Sequence, residues 1–267
     1  MIDGLLERVR RQKPLIHHIT NQVTINDCAN ITLCTGGLPV MTHALGEVEE
    51  MVASSDALVI NIGTPTPDQI DAMVAAGKKA NELKIPVVLD PVGLGATALR
   101  TDVISRIVDS VEVAVIKGNA GEISILAGYG GSVKGVESVG RYENIEQPSC
   151  DAARKYGCTV VVTGAADIIT DGKRLLRICN GDAMMGRVVG TGCMSASVLA
   201  CFAAVEGDRA LSSAAAMACF GIAGELAAKR EDVKGPGTFK PALMDEMYNL
   251  SEDVVKRYAR IEEVALI

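Results

Sequence analysis

Strands alternating with helices along the chain predict an α/β fold with a mostly parallel sheet and helices on both faces. Three observations carry this. Short, continuous apolar runs at 57–62, 86–90 and 159–163 are β-branched, have turn residues at their ends and read as strands buried on both sides. The stretches between them, such as 67–83 and 98–109, place apolar residues at helical spacing. With 267 residues, 48% of them hydrophobic, and neither a linker nor a repeat, the expectation is one domain over 1–267.

The elements follow in order. Residues 2–12 read as a helix with Leu5, Leu6 and Val9 on one face. Pro14 stops it, a short strand follows, and Thr20-Asn21 can cap a helix over 22–35 that ends at Gly36-Gly37. Leu38 to Met41 reads as a strand, 47–54 as a helix, and 57–62 as a buried strand closed by Gly63-Thr64-Pro65. Pro67 opens the next helix. Strand 86–90 ends on Asp90, a helix spans 98–109, and strand 111–116 runs into Lys117-Gly118-Asn119. A helix over 120–127 carries Glu122 in its first turn, and 128–148 reads as a polar surface excursion. After a helix at 149–156, strand 159–163 leads to a hairpin of 167–170 and 174–179 around Asp171-Gly172. Helices near 192–206, 210–229 and 240–257 finish the chain, with 234–239 a loop.

Composition excludes several classes. A net charge of −7 argues against general binding of nucleic acid or an anionic membrane. Aromatic residues are only 3%, with no Trp, so no base-stacking platform is expected. The N-terminus is charged and amphipathic rather than a signal peptide, and no stretch reaches the uninterrupted apolar length of a membrane span, 194–205 being too short. The eight cysteines lack paired spacing, which fits free thiols in a cytoplasmic protein. His17, His18 and His43 lack metal-site spacing and read as structural or substrate-adjacent. Met184, Met185, Met194 and Met217 read as core filler.

The chemistry centres on 188–197. Gly190-Thr191-Gly192 precedes a long apolar helix, so backbone N–H groups and the positive helix end form an anion cradle. Cys193 falls in the first turn, where that field favours a thiolate. Other polar groups sit at strand ends: Asn61 to Thr64, Asp90, Lys117-Gly118-Asn119 with Glu122, and Thr163-Gly164. In a parallel sheet these leave on one edge, where ligands bind. Two carboxylates, a cation and an anion cradle are the parts of phosphoryl transfer.

Ordered pieces over nearly the whole chain carry a resemblance. They are His18-Ile19-Thr20-Asn21, Pro39-Val40-Met41, Asn61-Ile62-Gly63-Thr64, Leu89-Asp90-Pro91-Val92-Gly93, Lys117-Gly118-Asn119-Ala120-Gly121-Glu122-Ile123, Val162-Thr163-Gly164, Gly190-Thr191-Gly192-Cys193 and Gly235-Pro236-Gly237-Thr238-Phe239. With these the chain resembles the hydroxyethylthiazole kinase family, a branch of the ribokinase-like kinases. Gly-Thr-Gly-Cys is its specific element, since related sugar and vitamin kinases carry aspartate in place of Cys193. The resemblance implies a ribokinase-like three-layer sandwich and ATP-dependent phosphorylation of 4-methyl-5-(2-hydroxyethyl)thiazole in thiamine salvage. It also implies Mg²⁺ and a homotrimer with active sites at subunit interfaces. By position, it makes Cys193 the base and gives the phosphoryl group to the amides of Gly190, Thr191 and Gly192. Met41 and Gly190 would contact the thiazole, with Asn21 and Gly63 nearby. Lys117 and Thr163 would contact ATP phosphates, and Asp90 and Glu122 would hold Mg²⁺, directly or through water. The family often has arginine at Lys117 and threonine at Val189, so this chain lacks one bidentate fork and one hydroxyl. Two alternatives stay open: a kinase for a pyrimidine or pyridoxal alcohol, and a nucleotide-binding sensor without turnover.

Overall fold

The computed structural model describes residues 2–130 and 144–265, with the backbone alone of 133–134 and 137–138 in between. In chain order its elements are α1 (Leu5–Gln12), β1 (Leu15–Ile19), α2 (Ile25–Thr35), β2 (Leu38–Val40), α3 (Val48–Ala53), β3 (Ala57–Asn61), α4 (Pro67–Glu82), β4 (Val87–Asp90), α5 (Ala98–Ser110), β5 (Val115–Asn119) and α6 (Ala120–Ala127). A short hairpin of β6 (Val133–Lys134) and β7 (Glu137–Ser138) follows. Then come α7 (Glu146–Tyr156), β8 (Thr159–Thr163), β9 (Asp167–Thr170), β10 (Leu175–Ile178), a 3-10 helix (Ala183–Arg187), α8 (Thr191–Val205), α9 (Arg209–Lys229), α10 (Pro236–Asn249), α11 (Glu252–Tyr258) and β11 (Ile261–Val264).

Nine strands form one sheet in the order β11-β10-β9-β8-β5-β4-β3-β1-β2. The six from β8 to β2 are mutually parallel, and β9, β10 and β11 add antiparallel pairs at one end. The central strands β3 and β4 are buried along their whole length because both faces are covered, whereas the edge strands β2 and β11 are partly exposed. Within β3, Ala57 and Val59 join a core shared with α1, α2, α8, α9 and α10. Leu58 and Ile60 join a second core under α3 to α7. This is the expected α/β sandwich, with a mostly parallel sheet between two helical layers.

Several expectations need correction. Strand 111–116 runs instead from Val115 to Asn119, because Lys117, Gly118 and Asn119 pair with Val161, Val162 and Thr163 of β8. The helix expected over 240–257 is two. Arg10 of α1 donates to the carbonyls of Met247, Tyr248 and Leu250, so α10 can end there. Ser251 then caps α11, its hydroxyl accepting from the Val254 N–H. The loop expected at 234–239 is helical from Pro236, a residue suited to the first helical position. The 3-10 helix and β11 are new; β11 closes the sheet edge beside β10. Much of the excursion expected at 128–148 lies outside the described residues, and α7 opens three residues earlier than expected. Finally, α9 passes for a membrane-crossing helix by length and composition only. It is a core helix: its apolar surface is buried against α8, α10 and the sheet.

Candidate active site

Five strand ends meet on one edge. β1 runs on into Thr20 and Asn21, β3 ends at Asn61, β4 at Asp90, β5 at Asn119 and β8 at Thr163. Their register aligns Asn61 with Asp90 and Asn119 with Thr163. The start of α8 reaches the same edge: Lys117 Nζ donates to the Gly192 carbonyl at 2.9 Å.

These ends are tied by a chain of polar side chains. Asn21 Nδ2 donates to Cys193 Sγ at 3.4 Å and to Asn61 Oδ1 at 3.0 Å. Asn61 Nδ2 donates to Asp90 Oδ2 at 2.9 Å, and Lys117 Nζ meets the same oxygen at 3.0 Å. With the Lys117 bond to Gly192, the chain closes into a ring through the first turn of α8. Asn21, Asn61, Asp90 and Lys117 are each at most 4% exposed, so the ring sits where dielectric screening is weak. Burial opposes the charge on Lys117, but Asp90, with Cys193 and Glu122, outweighs it and keeps the ammonium above its ordinary value. Burial pushes the Asp90 carboxyl up, while Lys117 and Asn61 pull it back.

Close backbone approach makes the ring reachable. A Cβ on Gly63 would lie 2.7 Å from Asn21 Cβ, so only glycine lets Asn21 stand where it meets Cys193. Gly190 is the left-handed residue before α8, with φ +101°, and a Cβ there would lie 2.8 Å from Thr24 Cγ2. The first helical bond of α8 runs from Met194 N to Gly190 O. The N–H groups at the helix start are therefore those of Thr191, Gly192 and Cys193, with no side chain capping them. The Thr191 hydroxyl turns away and donates to the Met185 and Val188 carbonyls. Half-buried Cys193 and exposed Gly192 face outward from this turn.

Glu122 closes the far side. It forms a capping box with Asn119, its Oε2 accepting from the Asn119 N–H at 2.8 Å. Its Oε1 accepts from the Gly93 N–H at 2.7 Å. Burial, with Asp90 nearby, pushes this carboxyl up to about 7. The donor set suits a hard cation. Asp90 Oδ1 is buried without a hydrogen-bond partner, and each Glu122 oxygen meets one backbone N–H, leaving further lone pairs. Mg²⁺ usually takes one or two carboxylates and completes its shell with water and phosphates. Among the described residues no cluster of three metal-ligating side chains exists, which fits that mode and not a protein-only cage.

Beside the ring lies a cleft of about 520 Å³ lined by Thr163, Gly164, Asp167, Gly192, Met217 and Phe220 among others. The Asp167 carboxylate accepts from the Gly164 N–H at 3.0 Å. Burial pushes Asp167 up to about 7, against that bond and Lys117. Thr163 stands at the cleft mouth, its hydroxyl 3.4 Å from the Gly118 carbonyl.

The structure thus brings together Asn21, Gly63, Asp90, Lys117, Glu122 and the Gly190–Cys193 turn, with Thr163 across the cleft. Met41 follows the edge strand β2 on the same side of the sheet, half-buried, and takes no part in the ring. Buried His18 is pushed down to about 4 by desolvation and pairs with Ser197 at 3.1 Å, a structural histidine. Sequence reasoning missed Arg100, Asp167, Asn180 and Glu225. Asp167 had a local signal, as the first residue of a strand after Gly164. Glu225 had none, since it acts on a segment 44 residues away, and Arg100 had none, since it joins one turn eight residues away to another 37 residues away.

A model of the Hydroxyethylthiazole kinase family matches residues 6–253. A hydroxyethylthiazole kinase of Thermoanaerobacter sp. strain X514 is 54% identical over 258 residues, covering 97% of this chain and 98% of that protein. The structure of a hydroxyethylthiazole kinase protein from Pyrococcus horikoshii OT3 superposes with a TM-score of 0.91 at 44% identity, covering 99% of both chains. The pyridoxal kinase of Staphylococcus aureus in complex with ADP superposes at 0.64 with 13% identity, over 94% of this chain and 98% of that one, and so shares the ribokinase-like fold.

Proposed function

This chain belongs to the hydroxyethylthiazole kinase family, and from that premise we propose that it transfers the γ-phosphoryl group of ATP to the hydroxyl of 4-methyl-5-(2-hydroxyethyl)thiazole, in thiamine salvage. The single observation behind this reading is the ring that ties Cys193 and the start of α8 to Asp90 through Asn21, Asn61 and Lys117.

The N–H groups at the head of α8 receive the transferring phosphoryl group, supported by the helix field and by Lys117 behind Gly192. Asp90 and the Gly192 carbonyl take two of the three donors of the Lys117 ammonium, and the third contacts the ATP phosphates. The acceptor alcohol lies by Cys193, with Gly190, Asn21, Gly63 and Met41 around it. Its oxygen forms the new bond to phosphorus as the bond to the β-phosphate oxygen breaks, and its proton passes to Cys193 Sγ. In a loose transition state that proton leaves late, so positioning contributes more than the base. Asp90 and Glu122 hold Mg²⁺, directly or through water, and the ion supplies charge neutralisation on the phosphates. Thr163 and the cleft beside it take the nucleotide.

The rest of the reading is one domain over 1–267, working in the cytoplasm as a homotrimer with active sites at subunit interfaces. Four apolar side chains are left exposed, Val23 before α2, Leu33 on α2, Leu38 on β2 and Leu45 after it, which supports an interface involving these elements. The test is an ADP-release assay with Mg²⁺, ATP and the thiazole alcohol, set against hydroxymethylpyrimidine and pyridoxal. Turnover highest with the thiazole alcohol is the expected result. Higher turnover with another alcohol, or ATP binding with no ADP release, overturns it. Cys193→Ala is expected to keep slow turnover, down by about 10²-fold, the low end for a general base. Cys193→Asp is expected to remain active, and its inactivity would remove the base role.

A further inference from the structure

We propose that Arg100 is a positioning residue that fixes the spacing between the acceptor-side turn at Ile62-Gly63 and the metal-side turn at Val92-Gly93. It rests on the reading given above. Arg100 Nη1 donates to the carbonyls of Ile62 at 2.9 Å and Val92 at 2.5 Å, and Nη2 donates to the carbonyl of Gly63 at 2.7 Å. One guanidinium therefore joins the ends of β3 and β4 from outside the sheet.

Each turn it holds bears on a different half of the site. Gly63 packs against Asn21, which donates to Cys193. Gly93 donates its N–H to Glu122. Gly93 has φ +73°, and a Cβ there would lie 3.3 Å from Arg100 Cδ and Nη1, so the turn is shaped to admit this side chain. The placement also breaks a local rule. Arg100 is the third residue of α5, where the positive helix end disfavours a cation. No ion pair among the described residues offsets that charge; three carbonyl oxygens receive it instead. A residue unfavourable to its own helix fits a role elsewhere. Nη1 bridges the two turns and Nη2 adds the Gly63 carbonyl, a spread over two nitrogens in one plane that the single nitrogen of a lysine ammonium does not reproduce.

The test uses the full-length enzyme and its Arg100→Ala and Arg100→Lys variants, with thermal unfolding to confirm folding. In both, kcat is expected to fall about 10- to 10²-fold, the size of an ångström-scale misplacement, with the KM for ATP changing less than about threefold. The Mg²⁺ concentration for half-maximal rate is expected to rise. Added ethylguanidinium is expected to restore part of kcat in Arg100→Ala and leave the wild type unchanged, which a merely structural residue would not show. Without substrates, alkylation of Cys193 by iodoacetamide, read by peptide mass spectrometry, is expected to speed up severalfold in both variants. Full activity in Arg100→Lys, or unchanged kcat and Cys193 alkylation in Arg100→Ala, overturns the proposal. Absence of thiazole turnover in the wild type would refute the reaction instead, and the alkylation result would still decide the role of Arg100. If Arg100→Ala does not fold, Arg100→Lys carries the same comparison.

Discussion

The two ends of the candidate site are built by different means. At the proposed acceptor end, the buried side chains of Asn21, Asn61, Asp90 and Lys117 bond in a chain that closes through Cys193 and the Gly192 carbonyl. At the proposed nucleotide end the cleft is lined by glycines and small residues together with Met185, Met217 and Phe220, and one wall is held from behind. There Glu225 of α9 accepts from Asn180 Nδ2, from the Gly181 N–H at 2.8 Å and from Arg260. Asn180 Oδ1 in turn accepts from the Arg260 N–H. Gly221 lets Asn180 press on α9: a Cβ there would lie 2.6 Å from the Asn180 carbonyl oxygen. The acceptor end gains precision at the cost of tolerance, because each buried polar group depends on its partner. The proposed nucleotide end, with glycines along its lining, is expected to tolerate more change.

The sharpest way to break this contrast is Lys117→Met. It leaves Asp90 buried and unpaired, so a loss of about 3–5 kcal/mol in stability is expected, with turnover reduced beyond 10²-fold on the order of what such sites show. Denaturant unfolding and steady-state kinetics measure both. Adding Asp90→Asn should recover stability without activity; an active double variant would reduce the ion pair to packing. A smaller effect is expected from Gly63→Ala, whose methyl group must displace Asn21. A fall in kcat of roughly 10²-fold is expected, whereas Gly164→Ala, 3.3 Å from the Ala166 carbonyl oxygen, should change only the KM for ATP, and by severalfold. Equal losses in the two would erase the distinction between the ends.

The last prediction concerns pH. Burial raises the Asp167 carboxyl to about 7. An unfolded aspartate titrates near 3.9, so between about pH 4 and 7 the folded chain retains a proton that the unfolded chain has released. The contribution is fully present below that window and is lost as pH rises through about 7, by at most about 4 kcal/mol. Unfolding measured from pH 5 to 8 should show a shallower decline in Asp167→Asn, and an identical slope would deny the cleft this protonated carboxyl.

Much of this was legible before any coordinates. The parallel strands followed from apolar runs that need cover on both faces, and the site edge from polar residues at the ends of those runs. Asn21, Asp90, Lys117, Glu122 and Cys193 were identifiable as a set. Their bonds were not. That Lys117 also holds Asp90 and the Gly192 carbonyl had no signal in the sequence. The break between α10 and α11 depends on Arg10, some 240 residues away in sequence. Arg100 and Glu225 were invisible for the same reason: helical periodicity reports which face is apolar, and not which distant carbonyl or amide a polar side chain will meet. The 3-10 helix and β11 lack strong local patterns and form because β10 and α9 offer them partners.

The long apolar helix α9 carries a hazard for biosynthesis. It leaves the ribosome after the parallel strands and must find its place between α8, α10 and the sheet before a translocon or another nascent chain captures it. Variants that loosen its neighbours should therefore be lost as insoluble protein in the cell more readily than a reversible melting curve would suggest.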